Sequence, residues 1–300
     1  MAFRSTSSLS VSLGQTGNPF VVYATQPAGN VMAMRYRLEP SYDSSWKVWL
    51  CFDLVRQPQR TAATNLSDLT PEAYATTTDG KLFVRHFYFD PYGWAPWESL
   101  PLPDPSSRAT DVAAVGLPSP ILFVYVIDRD RVFTRRRGSS NPLSAYQPWR
   151  EISAPPSVRR ISAGMRPDGR QQLFVTDAAG AMFTAIQSNA APDASFGSFQ
   201  RFGDDTTPTF TEVHCAYLKD HSVSVFALSN GGVWSRRPSG EEWTAWTPEG
   251  GTNKPTLATF TVGSLTDQSP TIFGTDFYGA SSGPRLWQHI AGSDVWSEVN

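Results

Sequence analysis

Charge, cysteine and long apolar runs are all scarce in this chain. Only 17% of its 300 residues are Asp, Glu, Lys or Arg, below the usual quarter, and the formal charge is −2. Nothing in a balance so close to neutral calls for nucleic acid or an anionic membrane. No run approaches the roughly 18 apolar residues of a membrane-crossing helix, so membrane insertion is not expected. The opening MAFRSTSSLSVSLGQTG has no apolar core followed by a cleavage site. The expectation is therefore a cytoplasmic protein, or one released by a non-classical route. Cys51 and Cys215 have neither metal-ligand spacing nor enough companions for a disulfide framework.

Catalytic signatures are missing too. There is no Ser-Asp-x-Gly-x-Thr-Trp box, no nucleophile elbow, no metal motif and no phosphate loop. His86, His214, His221 and His289 are scattered along the chain. Isolated carboxylates leave a glycosidase pair open, but the expectation is no enzyme, no catalytic residue, no metal and no cofactor.

What the chain does have is repetition, together with 10 Trp, 22 Gly and 24 Pro, a composition suited to short strands and turns. One anchor is a turn followed by an apolar tripeptide. It occurs as Gly29-Asn-Val-Met32, Gly80-Lys-Leu-Phe83, Asp130-Arg-Val-Phe133, Gly180-Ala-Met-Phe183, Gly231-Gly-Val-Trp234 and Gly283-Pro-Arg-Leu-Trp287. The last residues of these segments lie 51, 50, 50, 51 and 53 apart. The other anchor is an aromatic pair three residues apart: Trp46/Trp49, Trp94/Trp97, Tyr146/Trp149, Phe196/Phe199 and Trp243/Trp246, with Trp296 alone in the sixth copy. Two anchors of common period and order define six repeats, approximately 1–58, 59–105, 106–156, 157–204, 205–252 and 253–300.

Each repeat carries four strand signals. The first is rich in small residues, as in Thr61-Ala-Ala-Thr64 and Ile161-Ser-Ala-Gly164. The second is β-branched or aromatic, as in Phe20-Val-Val-Tyr23 and Val223-Ser-Val-Phe226. The third opens at the turn anchor, and the fourth is expected to carry the aromatic pair. Four strands repeated radially predict an all-β fold, a single six-bladed β-propeller of four-stranded antiparallel blades spanning 1–300. Small residues suit the crowded axis, and large aromatics suit the wider wedge between blades. Closure is expected from packing of blade six on blade one, with residues 2–7 as a further aid. Cys51 and Cys215 would lie in blades that are not neighbours, so two buried free thiols are expected.

A cation stands two residues past the turn anchor in four repeats: Arg85, Arg135, Arg236 and His289. Since i and i+2 share a strand face, it should lie beside the anchor's aromatic. An acid follows the aromatic pair: Glu98, Glu151, Glu249 and Glu298. An aromatic plane, a guanidinium fork and a carboxylate meeting between blades would suit a sugar, which has one C–H face and many hydroxyls. The expected sugar-binding residues are Trp94, Arg85 and Glu98 in repeat two, Tyr146, Arg135 and Glu151 in repeat three, Trp243, Arg236 and Glu249 in repeat five, and Trp46 with Arg35 in repeat one. Repeat four has Phe196, Phe199 and Ala185 instead and is expected to be structural.

At these residues the chain resembles the bacterial propeller lectins typified by the Photorhabdus lectin. The segments are Ser222-Val-Ser-Val-Phe-Ala227, Gly231-Gly-Val-Trp234-Ser-Arg236-Arg237, Glu242-Trp243-Thr-Ala-Trp246 and Gly250-Gly251, with Leu82-Phe-Val-Arg85 and Trp94-Ala-Pro-Trp97-Glu-Ser-Leu100. Six-bladed fungal fucose lectins and tectonins are similar more loosely. The resemblance implies a multivalent, non-catalytic lectin whose partners are glycans carrying fucose-type or O-methylated sugars, with a homodimer as a further option. The alternative is a propeller scaffold for protein–protein interaction, such as a subunit of a toxin or secreted complex. Arg135-Arg136-Arg137 and Arg159-Arg160 would then mark a docking face.

Overall fold

The computed structural model describes residues 9–12, 20–25, 32–37, 50–52, 57–65, 71–89, 92–116, 121–137, 145–204, 206–218, 222–264, 269–276 and 285–299, and for 9–12, 20–25, 32–37, 50–52, 87–89, 92–93 and 264 the backbone alone. These residues form six antiparallel sheets whose strands follow chain order from the inside outwards. Blade one is Leu9–Ser12, Phe20–Thr25, Met32–Arg37 and Leu50–Phe52. Blade two is Pro58–Asn65, Pro71–Thr77 and Leu82–Phe89, with Tyr92–Trp94 and Glu98–Ser99 both pairing to the third strand. Blade three is Ala109–Val115, Leu122–Asp128, Arg131–Arg137 and Arg150–Ile152. Blade four is Val158–Met165, Gln171–Asp177, Met182–Ile186 and Gln200–Arg201. Blade five is Glu212–Tyr217, Val223–Ser229, Gly232–Arg236 and Thr247–Pro248, with a small hairpin, Pro238–Ser239 against Glu242–Trp243, between the last two. Blade six is Leu257–Ser264, Pro270–Asp276, Leu286–Ile290 and Ser297–Glu298. The six first strands contact one another in sequence, and the first strand of blade one also contacts that of blade six, so the ring is closed.

Because each blade is covered on both faces, its second strand does not alternate between apolar and polar. Pro71–Thr77, Leu122–Asp128, Val223–Ser229 and Pro270–Asp276 are buried at every position. Strands buried on both sides read as near-continuous apolar runs for this reason. An aromatic sits at the fourth position of the second strand in every blade: Tyr23, Tyr74, Tyr125, Phe174, Phe226 and Phe273. The last five of these side chains are fully buried. Each such burial contributes about 1.5–3 kcal/mol. The apolar interior is divided into wedges between adjacent blades, with separate clusters for blades two and three, three and four, four and five, and five and six.

The turn anchor has a second role between blades. The Gly80, Gly180 and Gly231 carbonyls each accept a hydrogen bond, at 2.9 Å, from the amide of Ala109, Phe210 or Leu257 where the next blade begins. Gly180 has φ +82°, and a Cβ there would stand 2.9 Å from the Phe210 nitrogen. Only glycine allows that approach.

The aromatic pair lies elsewhere than expected. The fourth strands start just after its second member, and the first member instead bridges back to the third strand or, in blade five, to the segment just beyond it. Tyr146 pairs with Arg137 and Phe196 with Gln187, while Trp94 pairs with Phe87 and Trp243 with Pro238. The partner is in each case two residues beyond the site-expected Arg, or its Ala185 counterpart.

The axis is lined by small residues and one charged belt. In blades two, three, four and six the first strand has a register shift near its start, at Pro58/Arg60, Ala109/Asp111, Val158/Arg160 and Leu257/Thr259. A bulge of this kind re-aims the side chain that follows it. Arg60, Asp111 and Arg160, each just past such a bulge, line a cavity of about 100 Å³ on the axis together with Glu212, whose strand pairs in regular register. The Arg60 Nη1 to Glu212 Oε1 ion pair, at 3.0 Å, joins blades two and five, which face each other across the ring. Glu212 also accepts from Thr259 Oγ1 at 2.9 Å and from the Phe260 amide at 3.1 Å in blade six. Asp111 accepts from the Ile161 amide of blade four at 3.0 Å. Cys215 lines the same channel as a free thiol, which burial pushes up to about 12. Cys51 has only its backbone, in blade one, among the described residues.

His214 shares this channel. Burial, and then Arg60 and Arg160, hold its pKa down at about 4 against the opposing pull of Glu212. An unfolded chain takes up that proton near pH 6.5, so folding stability is complete above that value and declines as pH falls towards 4. The melting temperature should drop by at least about 1.5 °C over this window, the shift that ~1 kcal/mol produces in a chain of this size. His214→Leu should flatten the curve there. A wild-type curve flat between pH 6.5 and 4 would contradict the assignment.

Candidate functional site

Four inter-blade clefts fall within the described residues, and they are filled in different ways. Between blades two and three, the blade-three residues Arg135, Tyr146 and Trp149 lean on blade two. The Arg135 guanidinium lies 4.7 Å from the Tyr146 ring centre and 5.0 Å from that of Trp149. It also donates to the Pro101 carbonyl at 3.2 Å, as Trp149 Nε1 does at 2.7 Å. Beneath them sits a buried polar cluster around Glu72. Arg137 Nη2 reaches Glu72 Oε2 at 2.6 Å, with both side chains wholly buried. Tyr146 donates to Glu72 Oε1 at 2.9 Å, Tyr74 donates to the same oxygen, and His86 Nδ1 lies 3.3 Å from Oε2. Burial alone would raise the Glu72 pKa, but His86, Arg137 and Tyr74 together hold it below the ordinary carboxylate value. Burial and the Glu72 charge push the Tyr74 and Tyr146 hydroxyls up.

The cleft between blades three and four is apolar inside and ion-paired outside. Phe196 meets Tyr125 edge-on at 6.3 Å. Arg136 grips Asp193 through two hydrogen bonds, at 3.0 and 2.8 Å. Between blades four and five, Trp243 packs edge-on against Phe202 at 4.9 Å and Phe174 at 5.8 Å. Arg236 lies over Phe202 at 4.6 Å and donates to the Thr244 carbonyl at 2.5 Å. In blade two, Arg85 lies 5.7 Å from the Trp94 ring and 5.9 Å from that of Trp97.

The expected meeting of aromatic, Arg and carboxylate therefore occurs only in part. Arg and aromatic come together in blades two and three. In blade five the Arg lies over Phe202 of the preceding blade. The carboxylate joins none of these pairs, and strand parity explains why. Glu98 is opposite Val84 in the ladder, on the face away from Arg85. Glu151 shares the face of Arg135 but stands opposite Phe133, where it meets Arg131 at 3.6 Å. Glu249 bonds the Val233 carbonyl through its amide, so its side chain lies on the face away from Trp234 and Arg236. Arg35 has only its backbone described, opposite Val22, and Trp46 lies outside the described residues. The basic runs are also absorbed: Arg137 and Arg136 are paired as above, Arg159 meets Asp130 at 3.2 Å, and Arg160 faces the channel.

Glu249 points into the cleft between blades five and six, which is open. It has a volume of about 370 Å³ and is lined from blade five by Ser235, Arg237, Thr244, Thr247 and Glu249 and from blade six by the Gly292–Asp294 hairpin. Glu249 Oε2 accepts from the Gly292 amide at 3.1 Å and faces His289 Nε2 at 3.4 Å. His289 is buried and stacks on Trp296, 4.5 Å away with ring planes 9° apart. Burial opposes ionisation of Glu249, but His289, Ser235 and the Gly292 amide outweigh it and hold the pKa below the ordinary value. The result is a fixed carboxylate beside a guanidinium and several hydroxyls, in a cleft of the size that takes small ligands. Arg237 and Asp294 lie outside both repeat anchors, and Ser293 stands in the first aromatic slot of the sixth copy, so neither anchor marks them as polar site residues. Among the described residues no group of His, Cys, Asp and Glu is arranged to hold a metal.

Glu72→Gln should leave the Arg137 charge buried without its counter-ion and destabilise the fold by about 3–5 kcal/mol, read by urea unfolding. A loss under about 1 kcal/mol would mean that the cluster relaxes or hydrates freely.

No protein-family model matches this chain, and no curated protein does. Solved structures do. The fucose lectin of Aleuria aurantia, described as a six-bladed β-propeller, is similar with a TM-score of 0.63 at 12% identity, over 97% of this chain and 93% of that one. The BP39L lectin of Burkholderia pseudomallei is similar with a TM-score of 0.64 at 14% identity, over 97% and 84%. The SapL1 lectin, solved with α-methyl fucoside, has a TM-score of 0.62 at 11% identity, over 99% and 96%. At such identities the likeness is one of fold: this chain is a six-bladed β-propeller of the same architecture as these lectins.

Proposed function

We propose that the protein is a non-catalytic, carbohydrate-binding lectin that takes glycan termini in clefts between its blades. The observation that carries this reading is the cleft between blades five and six. It combines a fixed carboxylate, a guanidinium and hydroxyls from two blades in one open space of monosaccharide size. Sugars need such fixed donors and acceptors, because each hydroxyl must recover the hydrogen bonds it gave up to water. The names of the neighbours support the same reading, since the Aleuria protein is fucose-specific and SapL1 was solved with a fucoside. Fucose-type and O-methylated sugars are the ligands to test first. If further clefts bind as well, a rigid ring would add avidity on a dense glycan surface.

The purified protein applied to a glycan array should bind fucosylated or O-methylated structures. Calorimetry with the free monosaccharide should give a Kd between about 10 μM and 1 mM, roughly −7 to −4 kcal/mol. Silence on the array, together with no retention on sugar resins, would defeat the lectin reading.

A further inference from the structure

We infer that Arg237 and Asp294 form a two-walled clamp that grips neighbouring hydroxyls of a neutral sugar and turns acidic sugars away. This rests on the lectin reading above and assigns residues and charge selection to it. Both residues line the cleft between blades five and six, one from each blade. Their backbones are pinned. The Arg237 amide donates to Thr244 Oγ1 at 3.1 Å, and its carbonyl accepts from the Thr244 amide at 2.9 Å. The Asp294 carbonyl accepts from the Thr252 amide at 2.7 Å and from Thr252 Oγ1 at 3.1 Å.

The charged ends, in contrast, are uncommitted. Among the described residues no carboxylate lies within ion-pairing distance of the Arg237 guanidinium, and no donor engages the Asp294 carboxylate. In the clefts between blades two and three and between three and four the charges are consumed internally, Arg137 by Glu72 and Arg136 by Asp193. Arg237 also reaches towards blade six: its Nη2 lies 3.8 Å from where a Cβ on Gly292 would be. The same Gly292 gives its amide to Glu249. Donor fork, held carboxylate and free carboxylate are thus grouped around one hairpin that carries no side chain at its tip.

The ligand class follows from these groups. A guanidinium donates to a hydroxyl oxygen, while a carboxylate accepts that hydroxyl's neighbour, so a vicinal pair satisfies both walls. An acidic sugar would add a third carboxylate to Glu249 and Asp294 against one guanidinium. No aromatic ring lines the cleft among the described residues. Selection therefore depends on hydroxyl geometry rather than on stacking, and ring epimers that separate the two hydroxyls should bind poorly.

The test is calorimetry on the full chain with methyl α-L-fucoside, methyl galactoside and methyl mannoside as neutral probes and sodium glucuronate as the acidic one. Wild type should bind at least one neutral probe and show no heat with glucuronate. Arg237→Met and Asp294→Asn should each weaken the neutral probe at least tenfold, with circular dichroism and melting temperature unchanged. Binding by both variants at wild-type strength would overturn the clamp and leave the lectin reading intact, as would glucuronate binding more tightly than every neutral probe. A wild type that binds none of the probes and is silent on the array would overturn both.

Discussion

Six sheets share one axis, and the narrow space beside that axis constrains everything further out. Side chains there must be small, which accounts for Ala62, Ala113, Ser162 and Ala163 on the first strands. Charge enters just past a bulge at Arg60, Asp111 and Arg160, and from a strand in regular register at Glu212, and those charges must then satisfy one another. Arg60 and Glu212 do so across the full ring, while Asp111 takes an amide from the next blade. A buried ion pair of this kind is weak evidence of net stability, since desolvation opposes the attraction. Its effect is on geometry: it ties blades that are not neighbours to one spacing.

Away from the axis the blades diverge, and the wedge between them has to be filled. The chain fills it differently at each position. Blades two and three use a carboxylate locked among Arg137, Tyr74, Tyr146 and His86. Blades three and four use Phe196 and Phe199, and blades four and five use Phe202, Trp243 and Trp246. Between blades five and six the inner wedge is closed by Trp287 and Trp296, and the outer part is left open. The same six-fold plan thus gives three closed clefts and one open one among the described pairs. Function is argued from that asymmetry, because the fold alone hosts many activities.

The architecture was legible in the sequence because two anchors recur at a near-constant interval and each corresponds to a physical need. The glycine of the turn anchor docks on the next blade, and the aromatic pair packs into a wedge. A third series, Tyr23, Tyr74, Tyr125, Phe174, Phe226 and Phe273, has the same period and could have been read with them. The site was less legible. The acid stands one, two and three residues past the second aromatic in Glu98, Glu151 and Glu249, and each single step reverses the face. Treating the three as equivalent joined residues that the ladder separates. The Glu72 cluster was hidden inside a strand that looks like plain core. Arg237 and Asp294 sit in hairpins, where no periodicity marks them.

The central claim is that the ring recognises a sugar in one open cleft while neighbouring clefts are closed by the protein's own side chains. A crystal structure of the protein soaked with methyl α-L-fucoside tests this most directly. The account predicts sugar density between blades five and six, against Arg237, Glu249 and Asp294, and none between blades two and three, where Glu72 and Tyr146 occupy the space. Density in the cleft between blades two and three, with the cleft between five and six empty at saturating ligand, would contradict it.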